Sequence, residues 1–190
     1  MNKILVVDNY DSFTYNLVHI IRELGREKDL TIVRNDMYTL DEVANYDHIL
    51  FSPGPGLPKD AGHMPETIRQ FASTKNILGV CLGHQAIGEA FGCTLLNLPK
   101  VFHGMVTPIH VIHEDRLFSG LPRQMNVCRY HSWVIDKGSL TDDLIVTSEA
   151  ENGNIMSIKH KKYNVRGVQF HPESIMTEHG KTLIKNWLEA

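Results

Sequence analysis

The stretch "ILGVCLGHQAIGEAFG", residues 77–92, places a cysteine between a short apolar segment and a helical pattern. Apolar side chains recur at helical spacing over residues 84–91, after the junction. At the junction itself, Gly79 and Gly83 flank Cys81 in a Gly-x-Cys-x-Gly pattern. A strand that turns tightly into a helix needs small residues at those two places, because neighbouring backbone comes into contact there. The stretch therefore predicts a strand, a tight turn carrying Cys81, and a helix.

The same alternation of strand and helix patterns runs through the first half of the chain. Apolar, β-branched segments alternate with amphipathic segments. The predicted strands are "KILVV" (3–7), "LTIVRN" (30–35), "DHILFS" (47–52) and "ILGV" (77–80), and the predicted helices are 13–24, 39–46, 64–72 and 84–91. Repeated β-α pairs of this length favour a parallel sheet that is covered by helices on both faces.

The pattern changes between about residue 93 and residue 160. Short alternating segments are separated there by Gly, Pro and Asn turns, which is typical of antiparallel strands. These segments are "TPIHVIH", "MNVCRYHSWVI", "LIVTSEA" and "NIMSIKH". A further strand, "VRGVQF", and an amphipathic helix follow. We predict one α/β domain over residues 1–190, with a doubly wound, mostly parallel sheet and an added antiparallel section.

Composition and charge exclude several classes of protein. The net charge is −3 and no block of like charges occurs, which argues against a nucleic-acid-binding surface. No apolar run approaches the ~20 residues that span a membrane, and the N-terminal apolar run is too short for a signal peptide. The three cysteines form no CxxC pair and no HExxH motif occurs, so we expect no disulfide framework and no metal site. We expect a cytoplasmic protein with reduced thiols.

The position of Cys81 suits a nucleophile, because the positive end of a helix favours the thiolate. A thiolate nucleophile also needs a base, and the base needs a group that orients it. The segment "QFHPES" (169–174) supplies both. Pro172 favours extended backbone before it, so His171 and Glu173 are expected to project on the same side. Each signal alone has a plainer interpretation, a buried cysteine or a surface histidine; their co-occurrence favours catalysis.

A second candidate segment is the loop "FSPGPGLPKDAG" (51–62), which follows a predicted strand. It is expected at the carboxyl edge of the sheet, together with Cys81. Gly54 and Gly56 can adopt backbone angles closed to other residues, and the prolines stiffen the loop. A rigid N–H donor of this kind suits an oxyanion hole. An ordinary surface turn is the alternative, and a phosphate loop is disfavoured because Gly-Lys-Ser/Thr is missing.

Four stretches together resemble the class I (triad) glutamine amidotransferase family: "ILVVDNYDSFTYNL", "GVCLGHQAI", "RYHSWV" and "GVQFHPES". The resemblance covers essentially the whole chain and implies a flavodoxin-like α/β fold. It implies that Cys81 attacks the side-chain amide of L-glutamine, that His171 protonates the departing ammonia and then activates water, and that Glu173 holds His171. It also implies that the N–H groups of Gly56 and Leu82 bind the oxyanion. The positions that match glutamine-holding positions of the family are Gly54, Pro55, Gln85, Ser132 and Trp133.

Within that family, "SPGPGLP" and "DNYDSFTYNL" are similar to the small subunits of chorismate-using synthases. The anthranilate synthase branch is the better match, and the aminodeoxychorismate synthase branch, or service to both pathways, is the alternative. The resemblance implies a hetero-oligomer with a synthase subunit that binds chorismate and Mg²⁺, with no cofactor in this chain. Two residues depart from the family pattern: Met105, where lysine is frequent, and Trp133, where a smaller apolar residue is common.

The residues also leave a more distant alternative open. A Cys-His hydrolase that acts on peptides or γ-glutamyl compounds would use the same three side chains. A non-catalytic module is disfavoured, because nucleophile, base, orienting carboxylate and donor loop all occur together.

Overall fold

Nine strands form one sheet in the computed structural model, which describes residues 2–190. The strands are β1 (Ile4–Asp8), β2 (Leu30–Arg34), β3 (His48–Phe51), β4 (Asn76–Val80), β5 (Leu95–Val111), β6 (Gln124–Ile135), β7 (Leu144–Ala150), β8 (Ile155–His160) and β9 (Val165–Val168). The helices are α1 (Thr14–Glu23), α2 (Leu40–Val43), α3 (Met64–Phe71), α4 (Leu82–Ala90) and α5 (Gly180–Leu188). The order across the sheet is β2-β1-β3-β4-β9-β8-β7-β5-β6.

The sheet has a parallel half and an antiparallel half. Among the described residues, four strand pairs are parallel (β1 with β2 and β3, β3 with β4, β4 with β9) and four are antiparallel. Helices between β1 and β4 return the chain to the same end of the sheet, so those strands run parallel. The predicted α/β class and its antiparallel section are confirmed. The sheet is evenly mixed and not mostly parallel as predicted, because the antiparallel section contributes as many strand pairs as the parallel one.

Strand β5 is longer than the sequence pattern indicates. The pattern predicts a strand only in "TPIHVIH", whereas β5 covers 17 residues. Pro99 and Gly104 interrupt the apolar alternation in its first part, which conceals the strand. The pairing of β5 with β6 shifts register between Asn97 and Phe102 and again just before Met105, which pairs with Arg129.

The core has two layers, one on each face of the sheet. Alternate residues of β1 point in opposite directions: Ile4 and Val6 pack with α1 and α5, and Leu5 and Val7 pack with α3 and α4. All four side chains are buried. Burying an aliphatic side chain contributes roughly 1.5–3 kcal/mol to the free energy of folding. Because β1 carries apolar side chains on both faces, helices must cover both faces of the sheet to bury them.

A buried ion pair joins strands β8 and β9 to the short turn that begins at Asp115. Asp115 Oδ1 accepts hydrogen bonds from Arg166 Nε (2.7 Å) and from the Leu117 N–H (2.8 Å). The side chain of Asp115 is only 3% exposed, and Lys159 Nζ lies 3.7 Å from its other oxygen. The carboxylate therefore neutralises cations from β8 and β9 at one point.

We predict that Asp115→Asn lowers the free energy of unfolding by about 3 kcal/mol, because it leaves the Arg166 guanidinium buried without a counter-charge. Urea denaturation of the purified chain measures the change. The matched control is Glu189→Gln, since Glu189 pairs with Lys185 at 3.9 Å on the surface. That variant should change stability by less than about 0.5 kcal/mol. Equal losses in the two variants would contradict the interpretation.

Candidate active site

The predicted nucleophile and base follow the ends of two neighbouring strands. β4 and β9 pair in parallel with Val80 opposite Val168, and the Cys81 N–H donates to the Val168 carbonyl at 2.8 Å. Both strands end at the carboxyl edge of the sheet, as do β1 and β3. The loops that carry Cys81 and His171 therefore leave the sheet side by side.

The turn at Cys81 has the strained backbone of a nucleophile elbow. Cys81 adopts φ 52° and ψ −97°, a conformation that costs a non-glycine residue roughly 1–3 kcal/mol. A Cβ on Gly79 would collide with the backbone of Gly83, and a Cβ on Gly83 would lie 2.7 Å from the Phe51 Cβ. Contact with neighbouring backbone is the reason for both glycines, as the pattern predicts. The Cys81 residue is 6% exposed.

His171 and Glu173 form a buried pair beside this turn. His171 Nδ1 lies 2.6 Å from Glu173 Oε1, and the two residues are 3% and 6% exposed. Because the carboxylate accepts, Nδ1 carries the hydrogen and Nε2 remains for proton exchange. Burial by itself would lower the pKa of His171, but the neighbouring Cys81 sulfur and Glu173 carboxylate raise it to about 11. This environment favours the imidazolium form of His171.

The backbone and ring of His171 are held by contacts that the sequence did not predict. The His171 N–H donates to the Cys128 carbonyl (3.0 Å), and the His171 carbonyl accepts from Thr177 Oγ1 (2.6 Å). The same hydroxyl accepts from the Cys128 N–H at 2.9 Å. Tyr130 and Phe13 pack edge-on against the imidazole, with ring centroids 5.1 and 6.1 Å away. Strand β6 and the "DNYDSF" loop thus fix the orientation of the base.

The "SPGPG" loop packs against the start of α4. A Cβ on Gly54 would lie 2.6 Å from the Asn9 Cβ and 2.9 Å from Leu82 Cδ2. Close approach, and not a left-handed angle, is therefore what requires glycine at position 54. Gly56 does take a left-handed angle (φ 74°), in open space, as its glycine allows. Pro55 and Gly56 lie on the exposed part of the loop.

The other predicted substrate residues lie on α4, which begins at the elbow, and on β6. Leu82 is buried as the first residue of α4, so its N–H lies outside the intrahelical hydrogen bonds. Gln85, one turn further along the helix, is buried, and its Nε2 donates to the Trp133 carbonyl at 2.9 Å. Ser132 and Trp133 are half-buried on β6. The Gln85–Trp133 hydrogen bond joins the elbow helix to β6, the strand that carries Ser132 and Trp133.

Two further histidines are buried near the elbow. His84 lies on α4 and His131 on β6. Burial lowers the pKa of His84 to about 3, and burial together with the Arg129 charge lowers the pKa of His131 to about 3. Both are therefore neutral at physiological pH. Among residues 2–190, no group of three or more His, Cys, Asp or Glu is placed to hold a metal ion. None of the described helices has the length and hydropathy needed to cross a membrane.

Comparison with known proteins gives a consistent result. The family model "Glutamine amidotransferase class-I" matches residues 5–190. Anthranilate synthase component 2 of Pseudomonas putida is 45% identical over 98% of this chain and 96% of that protein. Aminodeoxychorismate/anthranilate synthase component 2 of Bacillus subtilis is 43% identical over 98% of this chain and 96% of that protein.

Two further matches are to a longer protein and to a solved structure. The bifunctional protein TrpGD of Thermotoga maritima is 42% identical over 99% of this chain, which spans only 32% of that longer protein. A crystal structure of a protein from Thermoplasma acidophilum, described as one subunit of a GMP synthase, superimposes with a TM-score of 0.89 at 29% identity. That match covers 100% of this chain and 93% of the other.

We predict that Gly79→Ala lowers the free energy of unfolding by about 2 kcal/mol or more, because the new Cβ collides with the backbone of Gly83. Gly138→Ala is the matched control, since the nearest atom to its Cβ, Asp136 Oδ1, would be 3.4 Å away. Chemical denaturation of both variants provides the comparison. A tolerated alanine at position 79 would show that the elbow can relax.

We predict that stability falls between pH 7 and pH 5 in part because of His84. The pKa of His84 is lower in the folded chain than the unfolded value of about 6.5. Over this pH interval the unfolded state therefore binds a proton at His84 that the folded state does not bind. This linkage removes about 2 kcal/mol over that interval. Urea denaturation of wild type and His84→Met at both pH values measures it, and the variant should lose about 2 kcal/mol less. Identical pH dependence would exclude this role.

Proposed function

Because the chain belongs to the class I glutamine amidotransferase family, we propose that it is the glutaminase subunit of anthranilate synthase. In this proposal it hydrolyses L-glutamine and delivers the ammonia to a chorismate-binding synthase subunit. The observation that carries the proposal is the buried His171–Glu173 pair beside a cysteine on a strained strand-to-helix turn. That arrangement suits acyl transfer through a thioester.

The reaction begins with the thiolate of Cys81, which attacks the side-chain amide carbon of glutamine. The carbon–nitrogen bond then breaks, and the nitrogen leaves as ammonia after taking the proton from His171 Nε2. The product on the enzyme is a γ-glutamyl thioester. His171, now neutral, takes a proton from water, whose oxygen attacks the thioester and releases glutamate and the thiolate. Glu173 keeps Nδ1 protonated throughout, so Nε2 serves both proton transfers.

The tetrahedral intermediates need hydrogen-bond donors for their oxyanion. We assign this role to the N–H groups of Leu82 and Gly56. The position of Leu82 at the first turn of α4 supports it, because that N–H is not used within the helix. The left-handed angle of Gly56 and the packing of Gly54 on Leu82 support a fixed position for the second donor. Loss of one such donor typically costs ~10²–10³ in rate.

The need for a partner subunit follows from the chemistry of ammonia in water. Ammonia released into water at neutral pH becomes ammonium, which is not nucleophilic, so a direct transfer to an acceptor site is needed. The chorismate and Mg²⁺ of the complete reaction belong, in this proposal, to the synthase subunit. Relatives named as component 2 of two-component synthases support such an assembly.

A second candidate is the glutaminase subunit of aminodeoxychorismate synthase, or one subunit serving both pathways. Relatives of nearly equal identity favour it: the Bacillus subtilis protein carries both names, and a Klebsiella aerogenes relative at 43% identity is named aminodeoxychorismate synthase component 2. The chemistry on glutamine is the same in both cases. The partner alone decides between them.

We predict that Cys81→Ala lowers glutamine-dependent product formation at least about 10³-fold in the complex with the synthase, because no thioester can form. Synthesis from added ammonium salts should persist. Glutamate release and product formation are measured with reconstituted complexes. Product identity, anthranilate or aminodeoxychorismate, identifies the partner and hence the pathway.

The matched control is Cys93→Ala, because Cys93 is a buried thiol in the core layer of α3 and α4, away from His171. It should keep glutamine-dependent activity. Retained glutamine-dependent activity in the Cys81 variant would refute the proposal. Loss of both the glutamine- and the ammonium-dependent reactions would instead point to a structural role of Cys81.

A further inference from the structure

Gln169 is a fully buried polar residue that has no role in the mechanism proposed for Cys81, His171 and Glu173. It follows β9 directly and is 0% exposed. Its side-chain Nε2 lies 3.6 Å from Cys81 Sγ, and its Oε1 lies 3.3 Å from Gln85 Nε2. A buried carboxamide must have partners for its polar atoms. Here those partners are the nucleophilic sulfur and a residue of the elbow helix.

The orientation of the Gln169 amide is determined by its neighbours. The Trp133 carbonyl can only accept hydrogen bonds, so the Gln85 atom 2.9 Å from it must be the nitrogen. That same nitrogen faces Gln169, and two NH₂ groups cannot hydrogen bond to each other. The Gln169 oxygen therefore points to Gln85. The Gln169 nitrogen is left to point at the sulfur of Cys81.

The second donor to the Trp133 carbonyl is also determined. Arg129 is buried and can only donate; its Nε lies 3.0 Å from His131 Nε2. His131 Nε2 must accept, so the hydrogen is on Nδ1, which lies 3.0 Å from the Trp133 carbonyl oxygen. The carbonyl oxygen thus has a donor for each of its two lone pairs. The direction of the whole hydrogen-bonded chain is set, and it ends with an N–H directed at Cys81.

Two groups near the sulfur have opposite effects on its charge. The Tyr130 carbonyl oxygen lies 3.8 Å from Cys81 Sγ and can accept only from the protonated thiol. The Gln169 N–H can donate to the anionic sulfur. A fixed donor in a buried site interacts strongly with an anion, because little water competes for it.

We propose that Gln169 stabilises the thiolate of Cys81, and that the Trp133 carbonyl sets its direction through Gln85. The inference rests on the proposed function, since it concerns the same nucleophile. The N–H acts twice in that cycle. It stabilises the attacking thiolate, and it stabilises the thiolate again when water displaces it from the γ-glutamyl thioester.

The test uses the full chain with Gln169→Glu and Gln169→Leu. Glutamate keeps the size and the oxygen that faces Gln85 but removes the N–H that faces the sulfur, and leucine removes the donor without adding charge. In both variants the pH at half-maximal alkylation of Cys81 by iodoacetamide should rise, by about one unit in Gln169→Glu. Glutaminase kcat should fall about tenfold or more, with KM for glutamine changing less than threefold, as expected for loss of a hydrogen bond to a charged group.

Mass spectrometry assigns the alkylation to Cys81 rather than to Cys93 or Cys128. Gln70→Glu is the matched control, because Gln70 is exposed on α3 and the charge change is the same; its alkylation profile should match wild type. Alkylation profiles of both Gln169 variants that superimpose on wild type would overturn the inference, even if thermal stability falls. A wild-type chain without glutaminase activity, alone or with either synthase, would instead reject the proposed function.

Discussion

The left-handed backbone conformation of Cys81 is the constraint on which the site depends. It costs the isolated residue roughly 1–3 kcal/mol, and the fold holds it by packing Gly79 on Gly83 and Gly83 on Phe51. Because the turn is tight, the sulfur stays at the carboxyl edge of the sheet while the chain enters α4. Any side chain on either glycine would separate the strand from the helix and move the sulfur away from its neighbours.

Parallel pairing of β4 with β9 brings the other groups to that sulfur. The strands are far apart in the chain, yet their ends coincide, so residues 81 and 169 emerge together. The antiparallel half then closes the site from another side. Strand β6 supplies the Cys128 backbone that holds His171 and the Trp133 carbonyl that directs Gln85. The mixed sheet is therefore a requirement of the site, since one half carries the reactive side chains and the other orients them.

Much of this arrangement is predictable from local patterns. The alternation of strands and helices, the glycines around Cys81 and the placement of His171 with Glu173 all follow from short stretches of sequence, and comparison with known proteins confirms the family. The catalytic roles remain predictions. The full length of β5 escapes prediction because Pro99 and Gly104 break its alternation. Gln169 and Thr177 escape it because their partners lie on segments that only folding brings near, and a single glutamine in "VRGVQF" does not alter an apolar pattern.

The acceptor at the centre of the polar chain is a main-chain atom. A peptide carbonyl is present whatever amino acid occupies position 133, so mutation of the side chain leaves the acceptor in place. The side chain at position 133 can therefore change without loss of this hydrogen-bond acceptor. Gln85 and Gln169 differ in this respect, because their polar atoms belong to the side chains and are lost or displaced when the residue changes.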